Sequence, residues 1–114
     1  MSSDVSSSPT RYTLTFFVPE PHLEQCQSAI FRAGAGQIGN YSNVCFKVKG
    51  TSQFMPTEGA KPATGEVGKL EVGEEVRVEV FCGSEAIAMK AIKGLKETHP
   101  YEEVVYWVRR VEDF

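Results

Sequence analysis

Ala33-Gly34-Ala35-Gly36-Gln37-Ile38-Gly39-Asn40-Tyr41-Ser42-Asn43, a short apolar stretch to Gly50, Thr51-Ser52-Gln53-Phe54-Met55-Pro56-Thr57-Glu58-Gly59-Ala60-Lys61-Pro62 and a closing Gly65 to Gly68 form the most heavily punctuated part of this 114-residue chain. Seven glycines and two prolines fall within it. Glycine reaches positive φ without steric cost and proline fixes φ, so such a run reads as backbone geometry before it reads as catalysis. Gly34 and Gly36 are placed to stop a helix, Gly39 to turn the chain, and Pro56 to open a long loop that closes at Gly68.

Outward from this run, periodicity supplies the elements. Tyr12, Leu14, Phe16 and Val18 alternate with Thr13, Thr15 and Phe17, a strand ending at Pro19. Leu23, Cys26, Ile30 and Ala33 form a helical stripe from about Pro21. Val44, Phe46 and Val48 alternate as a second strand that Gly50 is expected to break, followed by a short apolar element around Gln53 to Met55. Val76, Val78 and Val80 mark another strand, and Ser84 is an N-cap for a helix with the face Ala88, Ala91, Ile92 and Leu95. After His99-Pro100, where proline disfavours helix, Val104 to Val111 forms the last strand. The order β-α-β-β-α-β is the ferredoxin-like arrangement, an α+β fold with an antiparallel sheet and both helices on one face. Phe17, Phe81, Tyr106 and Trp107 then spread bulky side chains over both parities of their strands. The face without helices should carry an exposed apolar patch, the mark of a partner or self-association surface.

Composition bounds the class. With 41% hydrophobic residues the chain suits one domain, residues 11–114, after a tail, residues 1–10, that carries five serines and too little apolar surface to offset its ordering entropy. No secretory signal and no membrane span is present in the sequence, so a soluble, cytoplasmic protein is expected. Cys26, Cys45 and Cys82 lie far apart within apolar patterns and read as buried thiols. A net charge of −3 without a clustered basic stretch argues against nucleic acid and membrane as partners.

Phe17-Val18-Pro19-Glu20, Gly34 to Tyr41, Phe54 to Pro62 and His99-Pro100-Tyr101-Glu102-Glu103 together resemble the inserted middle domain of bacterial Nif-three-like proteins, over nearly the whole chain after Arg11. The resemblance implies a fold related to the trimeric CutA and PII proteins, and hence a homo-oligomer, a trimer ahead of a dimer. Full Nif-three-like proteins, also described as type-two GTP cyclohydrolases, hold two metal ions between the halves that flank this insert. Those halves have no counterpart in the sequence, so the resemblance carries over neither a metal site nor a catalytic residue nor a cofactor. It leaves a non-enzymatic module for a small ligand or a protein partner, a Nif-three-like protein among the candidates. The alternatives are a CutA-like metal binder and a metal-dependent nucleotide hydrolase.

Three motifs invite chemistry. Gly34-Ala35-Gly36-Gln37-Ile38-Gly39 matches G-x-G-x-x-G, but a helix precedes it and a strand follows, the reverse of a dinucleotide site. A helix stop and turn explain it, with anion binding by a nest of backbone amides the remaining alternative. His99, Tyr101, Glu102 and Glu103 gather imidazole, phenol and carboxylates at one turn, where they can bind a ligand or move a proton; the plainer reading has Pro100 making the turn and Tyr101 packing under the sheet. His22, the only other histidine, is expected at the exposed start of the first helix, so a metal would lack ligands. Glu58, Gly59 and Lys61 in the long loop suit a lid over a ligand or a rigid subunit contact equally. Glu71, Glu74, Glu75 and Glu79 read as a solvated strand face.

Overall fold

The computed structural model describes residues 10–114, and the expectation of a tail lies, for residues 1–9, outside the described residues. In chain order the elements are β1 (Arg11–Val18), a 3-10 turn (Glu20–His22), α1 (Leu23–Arg32), β2 (Cys45–Phe54), β3 (Glu71–Cys82), α2 (Glu85–Thr98) and β4 (Tyr106–Val111). The four strands form an antiparallel sheet in the order β2-β3-β1-β4. This is the ferredoxin-like α+β architecture expected from the pattern.

The alternation of β1 sets the layers. Leu14, Phe16 and Val18 lie opposite Val80, Val78 and Val76 of β3, and all six are at most 3% exposed beneath Cys26 and Ile30 of α1 and Ala88, Ala91 and Leu95 of α2. The α2 start is fixed as expected, by the Ser84 hydroxyl accepting from the Ile87 N–H at 3.2 Å. Tyr106 also faces this core, with the Lys96 ammonium 5.3 Å above its ring. Cys26 and Cys82 are fully buried, and burial pushes both thiols up to about 11. Cys45 is only half-buried, at the edge of the core.

The glycine run ends α1 in a Schellman motif: the Gly34 N–H donates to the Phe31 carbonyl and the Ala35 N–H to the Ile30 carbonyl, with Gly34 at φ 102°. Gly36, at φ 82°, then donates to the Phe81 carbonyl at 2.7 Å and accepts from Val44 at 2.9 Å. A Cβ there would stand 2.9 Å from the Val44 carbonyl oxygen, so only glycine fits this close approach. The Gly34, Ala35 and Gly36 amides are thereby spent inside the protein, which takes them out of any anion nest. Gly39, at φ 56°, turns a small hairpin closed by paired bonds between Ile38 and Tyr41.

Two expectations fail in the second half of the sheet. Gly50 does not break its strand; it pairs with Glu75, and β2 runs on through the segment read as a separate element, to Phe54 opposite Glu71. A lone glycine in a strand costs only about 0.5–1 kcal/mol, less than the ladder on either side supplies. The last strand begins at Tyr106, two residues later than Val104, because Val104 and Val105 still belong to the turn after α2. The long β2–β3 hairpin draws the molecule out to 57 × 26 × 23 Å.

Candidate functional site

The face of the sheet opposite the helices is built in rows. Phe46, Glu79, Thr15 and Trp107 lie side by side across the four strands; Val48, Arg77 and Phe17 form the next row, with Val105 beside Phe17, and Gly50 and Glu75 the one after. Phe46, Val48, Val105 and Trp107 are exposed. Phe17 and Trp107 stack at 5.3 Å with a 60° tilt, and the Thr15 hydroxyl, 2% exposed, lies 3.4 Å from a Glu79 carboxylate oxygen. The reading of the acidic stretch as a solvated face holds for Glu74 alone: Glu71, Glu75 and Glu79, on the opposite parity, are half-buried along this open face.

At the lower edge of these rows the hairpin and the loop after Phe54 curl over the sheet and leave a cleft of about 520 Å³. Phe17 and Trp107 contribute to it from the sheet, Phe54 from the hairpin, Ala60 and Pro62 from the loop, and Tyr101, Glu102 and Glu103 from the turn after α2. Its volume is that of a small-molecule site, typically about 300–1,000 Å³. The loop is held over the cleft by two contacts. The Gly68 N–H donates to the buried Pro56 at 2.8 Å, closing the loop on itself, and the Lys61 N–H donates to Glu102 Oε1 at 3.0 Å, tying the loop to the turn.

Of the residues singled out from sequence, Tyr101, Glu102 and Glu103 meet at this cleft and Pro56 lines it as well. Glu58, Gly59 and the Lys61 side chain do not; they point to solvent, and Lys61 contributes its backbone. His99 stands behind the wall, 8% exposed. The Tyr101 N–H donates to its Nδ1 at 3.1 Å, so Nε2 carries the proton and donates to the Phe17 carbonyl at 2.7 Å. Burial lowers its pKa below the usual 6.5, with His22 adding to the fall and the Phe17 carbonyl and Glu75 opposing it. Both ring nitrogens are therefore committed, and neither is available to a metal or a substrate proton. Pro100 continues that turn beside it. His22, expected exposed, is half-buried in the 3-10 turn. Among the described residues no group of three or more His, Cys, Asp or Glu is placed to hold a metal ion, and no helix is long and apolar enough to cross a membrane.

Tyr101 itself packs 5.9 Å from Phe54 and has its phenol pushed up to about 12, by burial first, then by a hydrogen bond with Glu75 and by the charges of Glu75 and Glu71. It stays protonated and donates. Phe17, Phe54, Glu75 and Trp107 complete the cleft; the sequence reading placed Phe17 and Trp107 among the residues of an exposed apolar patch and Glu75 on a solvated face, but assigned none of the four to a ligand site.

No family model matches the chain. Over 95 residues it is 44% identical to a GTP cyclohydrolase 1 type 2 homolog of Halalkalibacterium halodurans, a match covering 83% of this chain and 25% of that protein. A Bacillus cereus protein related to NIF3 superposes with a TM-score of 0.80 at 39% identity, over 93% of this chain and 27% of that one. The chain thus spans about a quarter of the length of these relatives. The fold alone is shared with the periplasmic divalent cation tolerance protein CutA of Archaeoglobus fulgidus (TM-score 0.65, 13% identity, 91% of this chain and 86% of that one) and with GlnK in the Bacillus subtilis GlnK–ATP complex (0.58, 7%, 90% and 84%). By sequence and by structure, then, this chain is a homologue of a CutA/PII-like segment of the NIF3-related proteins.

Proposed function

We propose that the chain is a non-enzymatic regulatory or binding module that works as a homo-oligomer and takes a small ligand in the cleft on its open sheet face. The observation that carries this reading is the cleft itself, where the unshielded aromatics Phe17 and Trp107 meet a loop anchored over them. The one imidazole near the cleft, the side chain best suited to proton transfer near neutral pH, is consumed in holding the Phe17 carbonyl, which leaves the cleft carboxylates without that partner.

Self-association is supported from a second side. The outer half of the hairpin, Thr51 to Phe54 against Glu71 to Glu74, pairs only within itself, and Met55, Leu70 and Val72 at its end are exposed among the described residues. The radius of gyration is 16.3 Å, against about 13 Å for a compact domain of this size. A two-stranded ribbon is marginal by itself, so a neighbouring copy is the natural support for it, with the cleft at the border between copies. A closed ring of three copies, ahead of a dimer, is the assembly this reading favours.

Native mass spectrometry of untagged protein purified without chelators tests the proposal. A closed oligomer with a discrete extra mass supports it and classes the ligand. A bare monomer overturns it. Hydrolysis of GTP by the purified chain with added divalent metal would replace it with an enzymatic reading.

A further inference from the structure

Resting on that reading, we propose that the cleft selects a small organic cation, an ammonium group carrying an apolar or aromatic body. Its wall combines four aromatic rings, Phe17, Phe54, Tyr101 and Trp107, with the carboxylates of Glu75, Glu102 and Glu103, and contains no Lys, Arg or His. Aromatic faces attract cations through their quadrupoles, most strongly where water is excluded, and carboxylates beside them add Coulomb attraction. An anion would meet three negative charges and no donor of opposite sign. A neutral ligand would leave those charges unanswered.

Among the described residues no ion pair engages these carboxylates; the three ion pairs there use Asp113, Glu20 and Glu66, none of them in the cleft. Glu102 is also held in place, accepting the Lys61 N–H at 3.0 Å, and Glu75 is half-buried on the strand face that floors the cleft. Positioned charges bind a partner at lower entropic cost than mobile ones. The rings are fixed as two tilted pairs, Phe17 with Trp107 and Phe54 with Tyr101. Trp107 already draws a cation from the chain itself, since the Arg109 guanidinium sits 5.8 Å from its ring centre. Arg109 does not line the cleft, so it leaves the cleft side of the ring to a ligand.

Trp107 is the only tryptophan in the chain and reports directly on occupancy. The test is a fluorescence titration of the full chain with benzyltrimethylammonium, phenylacetate and benzyl alcohol, which share an aromatic body and differ in charge. The expected result is saturable quenching in which the cation binds about tenfold or more tightly than either of the others. The double variant Glu75→Gln/Glu103→Gln should lose that advantage while keeping its binding of benzyl alcohol and its urea midpoint. Equal or tighter binding of phenylacetate or benzyl alcohol overturns the cation assignment and spares the ligand-binding module. So does a parallel loss of all three probes in the variant, which would mark a structural role for Glu75. Failure of every probe overturns the assignment too; the native mass of the same sample then separates the two readings, a closed oligomer sparing the module and a bare monomer removing both.

Discussion

Phe16 and Phe46 are the same residue on opposite sides of one sheet, the first fully buried and the second 62% exposed. Around Phe16 the strands present Leu14, Val18, Val76, Val78 and Val80 to two helices, and water is shut out. Around Phe46 they present Glu79, Val48 and Trp107 on the uncovered face, with Thr15 buried between Glu79 and Trp107. Burying a Phe side chain stabilises by about 1.5–3 kcal/mol only when something covers it, so the covered face supplies the stability of the chain and the open face leaves its apolar surface uncovered. His99 joins the two regimes: its ring, tucked behind the cleft, bonds the carbonyl of Phe17 on the central strand.

That contrast can be broken by measurement. The largest effect is expected from Phe16→Ala, a loss of about 4 kcal/mol in urea unfolding; a loss under about 1 kcal/mol would mean that the helices do not seal this face. Next, His99→Ala should cost about 3 kcal/mol, because the Phe17 carbonyl and the Tyr101 amide are left without partners. The same group carries a pH signature. With a folded pKa below 6.5, the stability from the neutral ring is complete above pH 6.5 and is lost as the pH falls from there towards the folded pKa. Urea midpoints should fall on acidification through that window in the native chain and fall less in His99→Gln, whereas an identical slope in both would assign the effect elsewhere.

Gly36→Ala should follow at about 2 kcal/mol, from positive φ and from crowding against the Val44 carbonyl and the Phe31 ring. Gly39→Ala, with open space around its Cβ, sharpens the point by costing less. Ser84→Ala should remove about 1 kcal/mol with the N-cap of α2. The smallest change in stability is expected from Phe46→Thr, within about 0.5 kcal/mol, yet that variant should shift the native mass towards smaller species. If its unfolding free energy falls as far as that of Phe16→Ala with the mass unchanged, the two faces are not different in kind.

Much of this was legible from residue order. Alternation in Tyr12 to Val18 and in Val76 to Val80, the Ser84 cap, the glycines after α1 and the α2 face of Ala88, Ala91 and Leu95 are local signals. Each depends on neighbours within a turn or along one strand. The hairpin misled because Gly50 is a local breaker while its pairing with Glu75, across the turn, is not local. The cleft was half legible. Tyr101, Glu102 and Glu103 stood out as a cluster in sequence, but Phe17, Phe54, Glu75 and Trp107 come from four separate stretches and meet only when the sheet is assembled.

The sequence by itself determined the six elements and their α+β order, because periodicity, caps and turn residues act over a few positions, and the strings at Phe17–Glu20, Gly34–Tyr41, Phe54–Pro62 and His99–Glu103 carried the kinship with NIF3-related proteins. Only the tertiary structure decided which parity of each strand the helices cover and that the acidic residues of β3 split between solvent and the half-buried open face, with Glu75 alone reaching the cleft. It also decided that His99 serves the backbone rather than a ligand. Those outcomes depend on which distant groups become neighbours, and burial, hydrogen bonding and charge are properties of that neighbourhood.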